Sequence, residues 1–259
     1  NVAQLHIITD LAVQAGQKIM EVYQLPDFAA VTEAKSDQSP LTMADKAAHA
    51  VIMEGLTKHF PGIPVWSEEG RTIPYEERRH WERFWLVDPL DGTKEFLKRN
   101  GEFTVNIALI EDGRPVLGVI YVPVTGVLYF GSRHEGAFTQ LPGQQPRPIR
   151  VSGDTPGRIA VGSRSHSSPE EEIILRQYRV TDHVAIGSSL KFCLIAEGKA
   201  NFYYRSGPTM EWDTAAGQAL VEAAGGRVTD GKGDFLTYNK PSPLNSSFIC
   251  TGFFSVEAQ

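Results

Sequence analysis

Four large apolar residues, Phe84-Trp85-Leu86-Val87, run without a break into Asp88-Pro89-Leu90-Asp91-Gly92-Thr93. A short run with no polar position reads as a buried strand. Two carboxylates are therefore expected at the mouth of a sheet. Pro89 restricts the backbone around them and Gly92 permits a tight turn, so both carboxylates and the Leu90 carbonyl can converge on one point. Val65-Trp66 likewise runs into Ser67-Glu68-Glu69-Gly70, which supplies two more acids. Hard oxygen donors of this kind suit Mg²⁺ far better than zinc or copper. Gathered acids without matching Lys or Arg repel one another, and a bound cation is the usual resolution. Each signal alone has a plainer reading. Asp and Gly are ordinary turn residues, Glu68-Glu69 suits a solvated loop, Asp213 suits a helix N-cap, and Asp45 suits the partner of Thr42 in a capping box.

The surrounding text organises itself around these segments. Apolar residues from Leu5 to Tyr23 recur at helical spacing, and Thr42 with Asp45 opens a second expected helix that stops before Pro61-Gly62. Phe103–Ile110, Pro115–Pro123 and Val127–Gly131, joined by Asp112-Gly113 and Thr125-Gly126, predict an antiparallel meander closing near Gly136–Thr139. After the Gln/Pro-rich stretch Leu141–Pro148 the pattern becomes strand and helix in alternation: Ile159–Gly162, Pro169–Tyr178, His183–Ile186, Ser188–Glu197, Asn201–Tyr204, Thr214–Ala224 and Ser247–Thr251. The expected fold class is α/β. Residues 1–150 carry two helices, a large mixed sheet and most of the acids, and residues 151–259 carry a smaller sheet with helices and Asp213.

Composition excludes several function classes. The 259 residues suffice for a core without disulfides, and Cys193 and Cys250, in different expected elements, read as reduced packed thiols. No apolar run reaches the roughly 18 to 20 residues of a membrane span, no signal-peptide pattern opens the chain, and no amphipathic basic helix points to a membrane surface. A cytoplasmic protein is expected. The net charge is −6, with no basic block to track a polymeric nucleic acid. A small phosphorylated ligand remains accessible to an acidic protein through a divalent cation.

Thr42–Asp45, Trp66–Gly70, Asp88–Phe96 and Trp212–Gly217 (Trp-Asp-Thr-Ala-Ala-Gly) occur in the order and rough spacing of the inositol monophosphatase superfamily of Mg²⁺-dependent, lithium-sensitive phosphatases, which the chain resembles over nearly its whole length. More narrowly, Asp88–Asn106, Ser163–His166 (Ser-Arg-Ser-His) and Gly187–Gly198 resemble the bisphosphate nucleotidase branch. The resemblance implies a five-layer αβαβα sandwich and two or three Mg²⁺ ions. It implies Glu68, Asp88 and the Leu90 carbonyl as ligands of one ion, and Asp88, Asp91 and Asp213 as ligands of a second. Glu69 and Thr93 would orient the attacking water with Asp45 near by, and the Gly92 and Thr93 N–H groups, at the start of a helical turn Thr93–Leu97, would hold the phosphate.

Substrate choice must come from outside the metal centre. Gly187-Ser188-Ser189-Leu190-Lys191 opens an expected helix, with free N–H groups, hydroxyls and a cation that suit a second anion, or, read plainly, a Ser cap and a solvated lysine. With the resemblance, Ser163, His166, Gly187, Ser188, Lys191 and Arg205 are implied contacts of a nucleoside and its uncleaved phosphate. One departure is that Tyr204 precedes Arg205 where related sequences often carry proline. His134 and His183 read as surface histidines. The implied reaction is hydrolysis of the 3'-phosphate of adenosine 3',5'-bisphosphate, with activity on the sulfated precursor in sulfate assimilation. The rivals are an inositol or sugar phosphate monoesterase and a catalytically silent nucleotide sensor. Intact Glu68, Glu69, Asp88, Asp91, Thr93 and Asp213 argue against the sensor.

Overall fold

Helical spacing of Leu5, Ile8, Ala12, Ala15, Ile19 and Val22 gives α1 (Val2–Tyr23) one buried face. In the structure, a computed structural model that describes residues 2–26, 39–163 and 168–254, α1 packs beside α2 (Pro40–His59). The second helix starts earlier than the Thr42 reading. Ser39 is the cap, its hydroxyl accepting from the Thr42 N–H at 3.2 Å, and Pro40 occupies the first turn, where its missing N–H costs nothing. Thr42 and Asp45 thus lie inside the helix, and Asp45 is buried there.

The large sheet consists of β1 (Val65–Ser67), β2 (Arg83–Asp91), β3 (Thr104–Glu111), β4 (Arg114–Val122), β5 (Val127–Ser132), β6 (Gly136–Gln140) and β7 (Arg147–Ile149), hydrogen-bonded in chain order. Short helices α3 (Tyr75–Arg78) and α4 (Thr93–Lys98) flank β2. Only β1–β2 is parallel; the remaining pairs are antiparallel. Strand β7 overlaps the end of the stretch read as a Gln/Pro-rich link and was not read as a strand, because three exposed or half-exposed residues carry no periodicity to reveal it.

The small sheet is built from β8 (Arg158–Gly162), β9 (Val180–Ala185), β10 (Phe202–Arg205), β11 (Arg227–Asp230) and β12 (Phe248–Thr251), in the order β11-β12-β10-β8-β9. Its helices are α5 (Pro169–Gln177), α6 (Leu190–Ala196) and α7 (Glu211–Ala223). Strand β11 had no sequence signal, and α7 begins three residues before Thr214, so Asp213 is in its first turn rather than at its cap.

Three apolar clusters show the five layers. Trp85, Val87, Ile107 and Val119 pack with α1 and α2 on one face of the large sheet. Phe84, Leu86, Ala108 and Ile120 pack on the other with Phe192 of α6, Leu220 of α7 and Phe248 of the small sheet. Ala160 and Phe202 meet Ile174 and Tyr178 of the α5 side on the far face. Both faces of the large sheet are covered, which is why its central strands read as unbroken apolar runs.

Helix α7 reaches the large sheet because β4 offers it a glycine. A Cβ on Gly118 would lie 3.0 Å from both Cα and O of Ala216. Gly118→Val should therefore cost about 1 to 3 kcal/mol by overpacking, read as a lower urea midpoint at unchanged slope. An unchanged midpoint would mean that α7 can lift without loss and is not held against β4.

Candidate active site

Residues three apart on a regular strand point to opposite faces. Asp88 and Asp91 nevertheless share one, because Asp88 pairs with Asn106 and Asp91 with Thr104: β2 spends three steps where β3 spends two. The extra residue is a bulge at Pro89-Leu90, where Pro89 has no N–H to contribute to the ladder. Leu90 turns its side chain into the α1/α2 core, and both carboxylates face α7. The strand thus continues through the motif, instead of ending at Val87 as its sequence suggests. The first turn of α7 brings Asp213, whose Oδ2 accepts from the Met210 N–H at 2.8 Å.

Asp88, Asp91 and Asp213 each place one carboxylate oxygen within 4.8 Å of the others. Asp88 is 1% exposed, and its Oδ1 has no hydrogen-bond donor. Burial, then the charges of Glu68, Asp91 and Asp213, push its carboxyl well above the usual range, and Glu68 also hydrogen-bonds with it. Asp91, half-buried, is pushed up to about 8, first by burial and then by Asp213, against the opposing pull of Lys191 and the Ser189 N–H. Asp213 is raised by burial, opposed by the Met210 N–H and Arg205. An orphaned buried acceptor among hard oxygen donors of one sign fits a bound divalent cation.

Asp91 has a second task. Its Oδ2 accepts from the Ser189 N–H at 2.7 Å, the Ser189 hydroxyl meets Thr104 Oγ1 at 2.7 Å, and Glu102 accepts from the Gly187 N–H at 2.8 Å. The 187–189 segment is thereby latched to the large sheet, with Ser188 in the left-handed region at φ 55°. Gly92 lies at φ 91°, and a Cβ there would meet Glu102 O at 3.0 Å and Ser188 Cβ at 3.1 Å, so only glycine fits. Two of the N–H groups expected to be free for an anion are thus donated to carboxylates. Helix α6 starts at Leu190, three residues inside the region read as its opening.

A cleft of about 460 Å³ lies over these groups. Of the sequence-derived residues, Asp91, Gly92, Thr93, Ser163, Gly187, Ser188, Lys191, Arg205 and Asp213 line it. Lys191 is buried, not a solvated lysine; its Nζ lies 5.6 Å from the Tyr203 ring centre. Burial lowers its pKa, while Asp91 works to raise it. Arg205 keeps a buried Nε without an acceptor, and Tyr204 hydrogen-bonds Glu170 at 3.1 Å. Glu68 and Glu69 form the turn after β1, closed by Gly70 N–H on Ser67 O at 3.0 Å. His166 lies outside the described residues. Sequence reasoning missed Lys94 and Lys98, which line the cleft from α4. Their four-residue spacing on an expected helix was the available signal. His134 and His183 are exposed, and Cys193 and Cys250 are buried free thiols. Among the described residues no helix is long and apolar enough to cross a membrane.

Comparison with known proteins matches residues 3–253 to the inositol monophosphatase family. The protein described as 3'(2'),5'-bisphosphate nucleotidase CysQ of Salmonella typhimurium is 50% identical over 250 residues, covering 95% of this chain and 99% of that one. The crystal structure of CysQ from Bacteroides thetaiotaomicron superposes with a TM-score of 0.85 at 44% identity, covering 96% of this chain and 97% of that one. An inositol monophosphatase from Zymomonas mobilis superposes with a TM-score of 0.76 at 26% identity, covering 97% and 93%.

With Asp91 raised to about 8, the folded cation-free protein keeps a proton that unfolded aspartate, titrating near 3.9, has lost. Its stability should therefore fall as pH rises from about 4 to 8. A cation must displace that proton. Calorimetric titration with Mg²⁺ in buffers of different ionisation enthalpy should show proton release at pH 6.5 that fades above about pH 8, with a larger thermal stabilisation at the higher pH. Binding at pH 6.5 without proton release would overturn the assignment of the cation to this cluster.

Proposed function

This chain belongs to the inositol monophosphatase family, and we propose that within it the chain is a Mg²⁺-dependent 3'(2'),5'-bisphosphate nucleotidase. It hydrolyses the 3'-phosphate of adenosine 3',5'-bisphosphate to AMP and phosphate, and also acts on the 5'-phosphosulfate precursor in sulfate assimilation. One observation carries the reading: Asp91 and Asp213 of the acid cluster line one cleft together with Lys191 and Arg205. A monoester needs a site for one phosphate. A bisphosphate needs a second cationic subsite, and the half-buried Arg205 and buried Lys191 supply it. The similarity to the CysQ proteins supports the same choice.

Glu68, Asp88, the Leu90 carbonyl, Asp91 and Asp213 would hold Mg²⁺, as two or three ions. Bound there, Mg²⁺ supplies Lewis-acid charge at the phosphoryl oxygens and makes water a better nucleophile at neutral pH. The chain's residues do the rest. Thr93 and Glu69 orient the water in line with the leaving 3'-oxygen, Glu69 takes up its proton, and Asp45 on α2 supports them. The Gly92 and Thr93 N–H groups receive the scissile phosphate. Lys191 and Arg205 hold the uncleaved phosphate, with Ser163, His166 and the Gly187-Ser188 backbone around the nucleoside. No covalent enzyme intermediate is required.

Phosphate release from adenosine 3',5'-bisphosphate, inositol 1-phosphate and fructose 1,6-bisphosphate, assayed side by side with Mg²⁺, should favour the first. Equal or better turnover of inositol 1-phosphate would replace the reading with a monoesterase. Asp91→Asn keeps size and shape but removes one negative charge. Since partners merely supporting a ligand cost about 10- to 100-fold, a direct ligand should cost at least about 100-fold in kcat, with the folded state intact by circular dichroism. Near wild-type kcat at saturating Mg²⁺ would remove Asp91 from the ligand set.

Lys191→Ala should remove a charge-assisted hydrogen bond of about 1.5 to 3 kcal/mol. That is roughly a ten- to hundredfold loss of kcat/KM for adenosine 3',5'-bisphosphate. Adenosine 3'-monophosphate lacks the second phosphate, so its already lower kcat/KM should hardly change. Equal losses for both substrates would mean that Lys191 serves Asp91 and the metal site instead.

A further inference from the structure

The turn carrying Glu68 and Glu69 is poorly supported by the sheet. Strand β1 has three residues, lies at the sheet edge and bonds only to β2. Beyond it, Glu68 N–H donates to Val87 O at 3.1 Å, and Gly70 N–H closes the turn on Ser67 O at 3.0 Å. The charge of Glu68 acts on Asp88, and Glu69 follows it in the turn. Among the described residues β1 is the edge strand, so no further strand pairs with its outer side. A second cleft of about 550 Å³ lies there instead, lined by His49, Met53, Ser67, Gly70 and Trp81 among others.

Across that cleft wall one side chain of α2 reaches the turn. His49 Nδ1 meets Ser67 Oγ at 2.9 Å, and a Cβ on Gly70 would lie 3.6 Å from the ring's Cε1. His49 follows Asp45 by one helical turn, so the two share a face of α2. The charge of Glu69 is also felt at His49, whose own pKa burial lowers.

We propose that His49 is a positioning residue, which through Ser67 holds the Ser67–Gly70 turn so that Glu68 and Glu69 keep the geometry the reaction needs. This rests on the roles given to those two acids above. The hydrogen bond joins α2 to buried Ser67 at the start of the turn, and the ring lies against Gly70. Nothing in the arrangement requires His49 to touch substrate.

The test uses His49→Phe, His49→Asn, Ser67→Ala and the double variant His49→Phe/Ser67→Ala. Loss of one neutral hydrogen bond predicts a fall in kcat of up to about tenfold, with KM for adenosine 3',5'-bisphosphate within about twofold. In cation-free protein, hydrogen exchange at the Glu68 and Gly70 amides should quicken by a similar factor, while exchange in β3 and β4 stays unchanged. His49→Asn, whose amide can reach the position of Nδ1, should recover most of both quantities. The double variant should be no worse than either single one. Wild-type kcat and exchange in both single variants, losses that multiply in the double variant, or a change in KM in place of kcat would each overturn the proposal. Should His49→Phe fail to fold, Ser67→Ala alone, which deletes one oxygen, carries the same expectation and the same refutation. Wild-type protein inactive on the nucleotide would sink the functional reading, whereas amide exchange, needing neither substrate nor cation, would still decide the role of His49.

Discussion

Asp88 and Asp91 stand side by side on the sheet face that meets α7 because β2 carries one residue more than β3 between them. Without that bulge one carboxylate would turn into the apolar layer beneath α1 and α2, where an ion could be kept only as a neutral acid. With it, Asp88 is buried among Glu68, Asp91 and Asp213, and its Oδ1 is left without a donor. The folded chain thus concentrates negative charge in a place that favours neither the ionised nor the solvated form. A divalent cation satisfies both requirements, which ties the metal dependence of the family to a local irregularity in one strand.

One of these carboxylates, Asp91, joins the acid cluster to the 187–189 segment. Asp91 accepts from Ser189 while facing Asp213, and Glu102 secures Gly187 one step away. Lys191 follows in the first turn of α6, within the field of Asp91, Glu95 and Glu102. The acid cluster and the cations lining the cleft are therefore neighbours in a chain whose net charge is −6. The backbone between them is tightly apposed: Gly92 and Ser188 both hold positive φ, and a Cβ on Gly92 would lie 3.1 Å from that of Ser188.

Support comes from outside the cleft as well. Arg78, buried, donates to Asn239, Lys240 and Pro241 and lies 4.2 Å from the Trp66 ring centre, while Trp66 meets Trp212 edge to face at 5.7 Å. Glu211, fully buried beside Trp212, accepts from the Asn239 and Lys240 backbone. Trp66 precedes the Glu68 turn and Trp212 precedes Asp213, so one ring contact spans the two sides of the acid cluster. Rigidity of this kind keeps like charges close without opening the site.

Much was legible from the residues alone. Helical period marked α1, unbroken apolar runs marked the central strands, and acids directly after such runs marked Asp88, Asp91, Glu68 and Glu69, whereas Asp213 read alone suited a helix cap and joined them only through the family resemblance of Trp-Asp-Thr-Ala-Ala-Gly. Short or half-exposed pieces such as β7 and β11 carry too few turns of any period to be seen. Ser39 was hidden because Thr42 and Asp45 imitate a capping box. Periodicity assigns a face within one element, but it cannot set the offset of one element against another. That Asp213 reaches Asp88, that the Gly187 and Ser189 N–H groups are taken by carboxylates, that Lys191 is buried and that His49 meets Ser67 were decided only by tertiary packing. Helix α7, which carries Asp213, lies so close to β4 that a Cβ on Gly118 would meet Ala216 at 3.0 Å, a depth that no periodicity within either element records.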